Sequence, residues 1–204
     1  MELCKRDRLY CFDFDDTVAT TGSRIWTTAG PKTTSEYALE KPPLHPERPF
    51  RELEDVDACE LRPAPFLEVF GQALREQSPV AIITARANDP EDLRRLVLRA
   101  AQLVGSPLHD RVHIYCCNSP AWSLPGDTRE ERKCAAILDF VKSYPQAVSV
   151  GFSDDDPQNL RAVHALFQDM SKAAPHVKWR TYACGAAAAE KVDAAPRADS
   201  RADL

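Results

Sequence analysis

Asp13, Asp15, Asp16 and Thr17 lie together in the stretch Leu9-Tyr10-Cys11-Phe12-Asp13-Phe14-Asp15-Asp16-Thr17. Carboxylates this close repel one another. Burying them is costly unless a cation or a positive side chain compensates. The residues before them, Leu9 to Phe12, are apolar and rich in β-formers, which predicts a buried strand. Ligands in open parallel sheets bind just beyond the carboxyl ends of strands. The stretch therefore points to a metal and anion site at a strand end. An acidic turn after a strand is the plainer alternative.

Three later stretches bear on that choice. Pro79-Val80-Ala81-Ile82-Ile83-Thr84-Ala85-Arg86 is a second apolar run and ends in a hydroxyl. Arg129 to Leu138 opens a helix and carries Lys133. Val148-Ser149-Val150-Gly151-Phe152-Ser153 is a further strand, and it runs into Asp154, Asp155 and Asp156. Together and in this order, over roughly residues 8–183, the four stretches resemble the haloacid dehalogenase (HAD) superfamily of phosphohydrolases. The first fits the family's Asp-x-Asp-x-Thr motif. Thr84 fits its second motif, Lys133 its third, and Asp154 with Asp155 its acidic fourth.

The resemblance implies magnesium-dependent hydrolysis of a phosphomonoester through an aspartyl-phosphate. Asp13 would be the nucleophile. Asp15, on the same face as Asp13 by strand alternation, would protonate the leaving oxygen and then activate water. Relatives that cleave carbon–halogen bonds, and the ion-pumping ATPases, lack an acid at that position. Magnesium, which favours oxygen ligands, would be held by Asp13, the backbone carbonyl of Asp15 and Asp154. Asp155 would be a second ligand or an outer partner, and the run of three acids leaves that assignment open by one residue. Thr84 and the N–H that follows it would hold a phosphoryl oxygen. Lys133 would offset the charge on Asp13 and the phosphoryl group, in competition with Arg129, Arg132 and Lys142 as surface cations. Arg86 would either touch substrate phosphate or serve a surface or structural role.

Residues Asp13 to Trp26 and Thr34 to Ala38 are also similar, more loosely, to small phosphatase-like proteins of phages and other viruses and to phosphatase domains of nucleic-acid repair proteins. That favours a nucleotide or a nucleic-acid end as substrate. A small-metabolite (sugar) phosphatase is the alternative, as is a catalytically inactive binding module on the same fold.

These side chains need a scaffold to bring them together, and the pattern supplies one. Apolar spacing predicts a helix over Phe66 to Gln77. Asp89-Pro90-Glu91-Asp92 predicts a helix start, and Gly105 its stop. Val112 to Cys117 reads as a third strand, and Asn118 to Asp127 as a loop containing Trp122. Thr128 caps the helix that carries Lys133. Val148 to Phe152 is a fourth strand, Pro157 starts another helix, and Val177 to Cys184 is a fifth strand. This alternation predicts a three-layer, Rossmann-like α/β fold around a parallel sheet. The resemblance adds the strand order 3-2-1-4-5, with Asp13, Thr84 and Asp154 converging at one sheet edge.

Between the first two core strands, residues 18–62 read as a small cap or flap. It has a turn and then a strand within residues 20–28, a hairpin tip at Ala29-Gly30-Pro31-Lys32, and a short helix at Thr34 to Ala38. A proline-rich stretch from Pro42 to Pro49 follows, where regular structure is forbidden. Trp26 and Tyr37 either pack over the substrate or anchor the hairpin. Residues 1–184 read as one domain, and the Ala-rich, charged segment 185–204 as a disordered tail.

Composition narrows the classes. The chain has 204 residues, ordinary apolar and charged fractions and a net charge of -5, which gives no strong general attraction to nucleic acid. No apolar run is long enough to span a membrane, and no signal-peptide core is visible. Cys4, Cys11, Cys59, Cys116, Cys117, Cys134 and Cys184 are odd in number and form no Cys-x-x-Cys pair, which predicts a reducing, cytoplasmic setting. His45, His109, His113, His164 and His176 have no metal-ligand spacing.

Overall fold

The computed structural model describes residues 7–120 and 124–184. The chain enters through β1 (Arg8–Phe12) and makes an excursion of two short strands, a hairpin and two helices. These are β2 (Ala19–Thr20), β3 (Arg24–Thr27), β4 (Gly30–Thr33), α1 (Thr34–Glu40), α2 (Arg51–Glu54) and β5 (Arg62–Pro63). It then alternates through α3 (Leu67–Arg75), β6 (Val80–Thr84), α4 (Pro90–Leu103) and β7 (Val112–Cys116). It finishes with α5 (Arg129–Lys142), β8 (Ser149–Asp154), α6 (Pro157–Ala173) and β9 (Lys178–Ala183).

Five strands form one parallel sheet in the order β7-β6-β1-β8-β9. Counting core strands alone, this is the expected 3-2-1-4-5. β1 is central, and its neighbours are β6 on one side and β8 on the other. Alternate side chains feed two cores. Phe12, Val80, Ile82 and Ile114 pack with Phe70 of α3 and Leu93, Leu96 and Val97 of α4. Leu9, Cys11, Ala81 and Ile83 pack with Ile137 and Phe140 of α5 and Leu160, Val163 and Phe167 of α6. Helices thus cover both faces, which is why β6 is apolar at every position before its terminal Thr84.

Helix starts follow local chemistry. Asp89 accepts from the Glu91 N–H at 2.9 Å and precedes Pro90 at the first helical position of α4. Thr128 and Glu131 form a capping box at α5. Gly105, at φ 62°, lies just past α4 in a conformation glycine adopts at no steric cost.

The excursion differs in detail from expectation. The hairpin tip is Thr28-Ala29, because Gly30 already pairs with Thr27 and Pro31 with Trp26. Pro31 lies in a two-stranded ribbon, where an edge strand tolerates its missing N–H. The expected helix at Thr34 forms and carries a Thr33/Glu36 capping box. α2 was not anticipated. It begins two residues past Pro49 and is held by burial of Leu53 and by Glu52, whose carboxylate accepts from Trp26 Nε1 at 2.8 Å. Trp26 also lies beneath the Arg51 guanidinium, 4.0 Å from the ring centre, so it anchors the hairpin to α2.

Among the described residues, no helix is long and apolar enough to cross a membrane. Cys11, Cys59, Cys116, Cys117, Cys134 and Cys184 are all free thiols. The expected tail 185–204, Trp122 and Cys4 lie outside the described residues.

Candidate active site

The strand order places the site. The chain moves outward from β1 to β6 and β7, then crosses back to β8 on the other flank of β1. At such a reversal the loops leave in opposite directions and open a crevice beyond the carboxyl ends. Asp13 stands there, one residue past β1, its N–H donating to the Ser153 carbonyl at 2.8 Å. The side chain of Phe14 is buried in the core. The chain then turns sharply: the N–H groups of Val18 and Ala19 both donate to the Phe14 carbonyl, at 3.0 and 3.1 Å. Asp16 adopts φ 58° within this turn, a conformation Asp tolerates better than most residues. Its carboxylate accepts from the Thr34 hydroxyl of α1.

Lys133, in the second turn of α5, is 1 % exposed. Its Nζ lies 2.6 Å from Asp13 Oδ1 and 2.7 Å from Asp154 Oδ2. Burial disfavours the charged ammonium, but Asp13 and Asp154 outweigh it and hold the proton more tightly than on an ordinary lysine. The competing cations are engaged elsewhere: Arg129 pairs with Asp156 and Glu130, and Arg132 donates to Asn118 Oδ1 at 2.8 Å. Lys133 is thus the cation that faces Asp13.

The run of three acids divides by role. Asp156 is the N-cap of α6, accepting from the Gln158 N–H at 2.8 Å, and it also pairs with Arg129. Asp154 is clamped by Lys133, by the Asp156 N–H and by Asn159 Nδ2. Carboxylate oxygens of Asp13, Asp154 and Asp155 lie within 4.8 Å of one another. Burial pushes the Asp13 carboxyl well above the usual range; Lys133 opposes this, while Asp154, Asp155 and Asp15 add to it. Burial and then Asp154 push Asp155 up to about 7. Fully ionised, the three carboxylates would carry more negative charge than Lys133 offsets, which is why the carboxyls of Asp13 and Asp155 are pushed up.

Thr84 ends β6 with its side chain buried, its Oγ1 accepting from the Arg86 N–H at 3.2 Å. Arg86 has neither a surface position nor a free guanidinium. It is 3 % exposed and grips both oxygens of Asp15, with Nε 2.9 Å from Oδ2 and Nη2 2.8 Å from Oδ1. Its Nη1 donates to the Leu53 carbonyl at 2.8 Å. Thr21 Oγ1 completes the knot, donating to Asp15 Oδ1 at 3.0 Å. The carboxylate of Asp15 therefore belongs with Arg86 rather than with the three-acid cluster. Thr21 and Asn159 were not singled out from sequence, and nothing in the local pattern marks them.

Asp13, Asp15, Thr84, Lys133, Asp154 and Asp155 all line one cleft of about 770 Å³. Tyr37 lines it too, whereas Trp26 does not. No family model, curated protein or solved structure matches this chain.

Proposed function

We propose that the protein is a HAD-type phosphatase, a magnesium-dependent hydrolase of phosphomonoesters acting through Asp13, with residues 18–62 serving as a small cap. The observation that carries this is a buried carboxylate at a strand end, held by one lysine, with two further acids beside it and a buried threonine across the cleft. The donor set suits a hard divalent cation, because it is all oxygen and a bound cation would let three crowded carboxyls ionise where Lys133 alone offsets one charge. Asn159 Oδ1 is buried without a donor and would accept from a cation's water shell. Asp13, Asp154 and Asp155 would hold the cation, with the Asp15 backbone as a further oxygen ligand. When bound, it would neutralise phosphoryl oxygens.

The chain's own groups supply the rest. One oxygen of Asp13 attacks phosphorus in line, and the bond from phosphorus to the leaving oxygen breaks. Lys133 orients Asp13 and neutralises charge on the phosphoryl group, while the Thr84 hydroxyl binds a phosphoryl oxygen. For this step Asp15 must carry a proton on Oδ2 while Arg86 Nη2 holds Oδ1, and it gives that proton to the leaving oxygen. It later takes one from the water that attacks phosphorus, which frees Asp13 and inorganic phosphate. Oδ1 of Asp15 already accepts from Arg86 and Thr21, whereas Oδ2 accepts from Arg86 Nε among the described residues. Oδ2 is thus the oxygen with room for the travelling proton.

The test is turnover of an aryl phosphate with and without magnesium. The wild type turns over only with the metal, and Asp13→Asn abolishes turnover while its circular dichroism stays native. Wild-type turnover by Asp13→Asn refutes the nucleophile, and no metal-dependent turnover by the wild type refutes the function.

A further inference from the structure

Resting on the phosphatase reading, we propose that the substrate is a mononucleotide: a single phosphate on an alcohol that carries an uncharged planar ring, which stacks on Phe50 and Tyr37. The cleft has two unlike halves. Its floor is the charged cluster at the strand ends. Its other wall comes from the excursion between β1 and β6 and presents Ile25, Tyr37, Phe50 and Leu53. Ile25 and Leu53 are buried and form the backing of that wall. Phe50 is 39 % exposed, one of few large apolar side chains left so open among the described residues. An aromatic ring left open to a cleft beside a phosphate site offers a face to stack on.

The polar lining offers a bare sugar few uncommitted donors among the described residues. Asn88 Nδ2 is spent on the carbonyls of Leu53 and Glu54. Asn118 donates to the Ala85 carbonyl and accepts from Arg132. Arg86 and Arg129 are tied to carboxylates. Hydroxyls of a bare sugar would find acceptors in the carboxylates of Glu54 and Asp92, but these four donors are already committed, so the hydroxyl oxygens would lose the donors that water gives them. A polynucleotide end fits no better. Away from the floor, the cleft carries Glu54, Asp92 and Glu130 against Lys41 and Arg129, so the next phosphate of a strand would meet no net positive charge to hold it. The volume of about 770 Å³ leaves room for a base and a ribose beyond the phosphate.

Adenosine 5′-monophosphate and ribose 5-phosphate differ at C1′, where one carries the base and the other a hydroxyl, so their kcat/KM ratio reads the base against that hydroxyl. Stacking on an aromatic side chain predicts a ratio of about 5- to 150-fold in favour of the nucleotide. In Phe50→Ala the ratio falls to what Tyr37 alone contributes, and the wild type cleaves a 5′-phosphorylated oligonucleotide more slowly than the mononucleotide. Equal kcat/KM for the two small substrates, or a ratio unchanged in Phe50→Ala, overturns the stacking site. An oligonucleotide cleaved as fast as the mononucleotide overturns the single-phosphate preference. If neither these nor an aryl phosphate is hydrolysed, the phosphatase reading has failed. Calorimetric titration of the same pair with magnesium then still decides the stacking site: tighter nucleotide binding supports it, and equal affinity overturns it.

Discussion

Arg86 is the residue whose removal the structure prices most directly. Its guanidinium is buried and makes two bonds to Asp15 and one to the Leu53 carbonyl. Arg86→Met keeps an unbranched side chain but leaves the Asp15 carboxylate, with 13 % of its side chain exposed, without its cation. Breaking a buried ion pair from one side costs about 3–5 kcal/mol, and the partial exposure of Asp15 places the cost near about 3. Asp15→Asn strands the guanidinium instead, with a similar loss of about 3 kcal/mol. The double variant strands neither charge and forfeits mainly the Leu53 contact, so its loss should be about 3 kcal/mol rather than about 6. The coupling is then about 3 kcal/mol, a large share of the roughly 5–15 kcal/mol that holds most domains folded. Urea unfolding of the four proteins measures it. Losses that add to within about 0.5 kcal/mol would show that the two side chains do not depend on each other, and the description of the site around Asp15 would be wrong.

Lys133→Met leaves Asp13 and Asp154 buried without their common cation. The urea midpoint should fall by the equivalent of about 3–5 kcal/mol, and magnesium should recover part of it; an unchanged midpoint contradicts the geometry. Gly126 has φ 127°, and a β-carbon there would lie 2.7 Å from Glu131 Cβ. Gly126→Ala should therefore cost about 1–3 kcal/mol in thermal unfolding, whereas a neutral effect would mean the turn before α5 is looser than described. Burial, and then Arg94, hold the His113 imidazole below its ordinary value of 6.5, with Asp139 opposing. The unfolded chain then takes the proton first, so His113 makes stability fall as pH drops from about 7 toward about 5. His113→Gln, which can still pair with the Tyr144 hydroxyl, should show a shallower fall over that window; an identical slope refutes the assignment.

β1, β6, β7 and β8 were legible as mainly apolar runs, and β1 and β8 run into acids that a bare turn would not need. β9, Lys178–Ala183, instead mixes polar and apolar residues and alternates exposed with half-buried positions at the sheet edge. Helix starts were legible through Thr128, Asp89 and Pro157, which act on their immediate neighbours. Asp156 became interpretable by the same logic, since a residue before Pro157 is an N-cap first. Arg86 was not legible. Its partner Asp15 is 71 residues away, and Leu53 belongs to a helix that the surrounding prolines concealed. Lys133 was reachable through the third motif of the resemblance, but its preference over Arg129 and Arg132 from the residues alone depends on which face of α5 meets the sheet, a tertiary fact that the local pattern does not contain. The hairpin tip slipped because Pro31 looks like a turn residue yet is accommodated in a ribbon exposed on its edge.

The excursion between β1 and β6 leaves and returns at adjacent points. Ala19 pairs with Pro63 and Thr20 with Arg62, and the Phe66 N–H donates to the Thr17 carbonyl at 2.9 Å. A segment clasped at its base is a detachable module, since everything between the clasped ends can lengthen or change without moving the sheet. Doubling such a loop adds only about 0.6 kcal/mol of closure cost. A lineage could exchange the wall that, on the proposed function, would meet the leaving group while the floor that would bind phosphate stays constant, and an engineer could graft a different hairpin there. One constraint would survive every exchange: the new segment must still present an acceptor where the Leu53 carbonyl meets Arg86, or the acid opposite loses its grip.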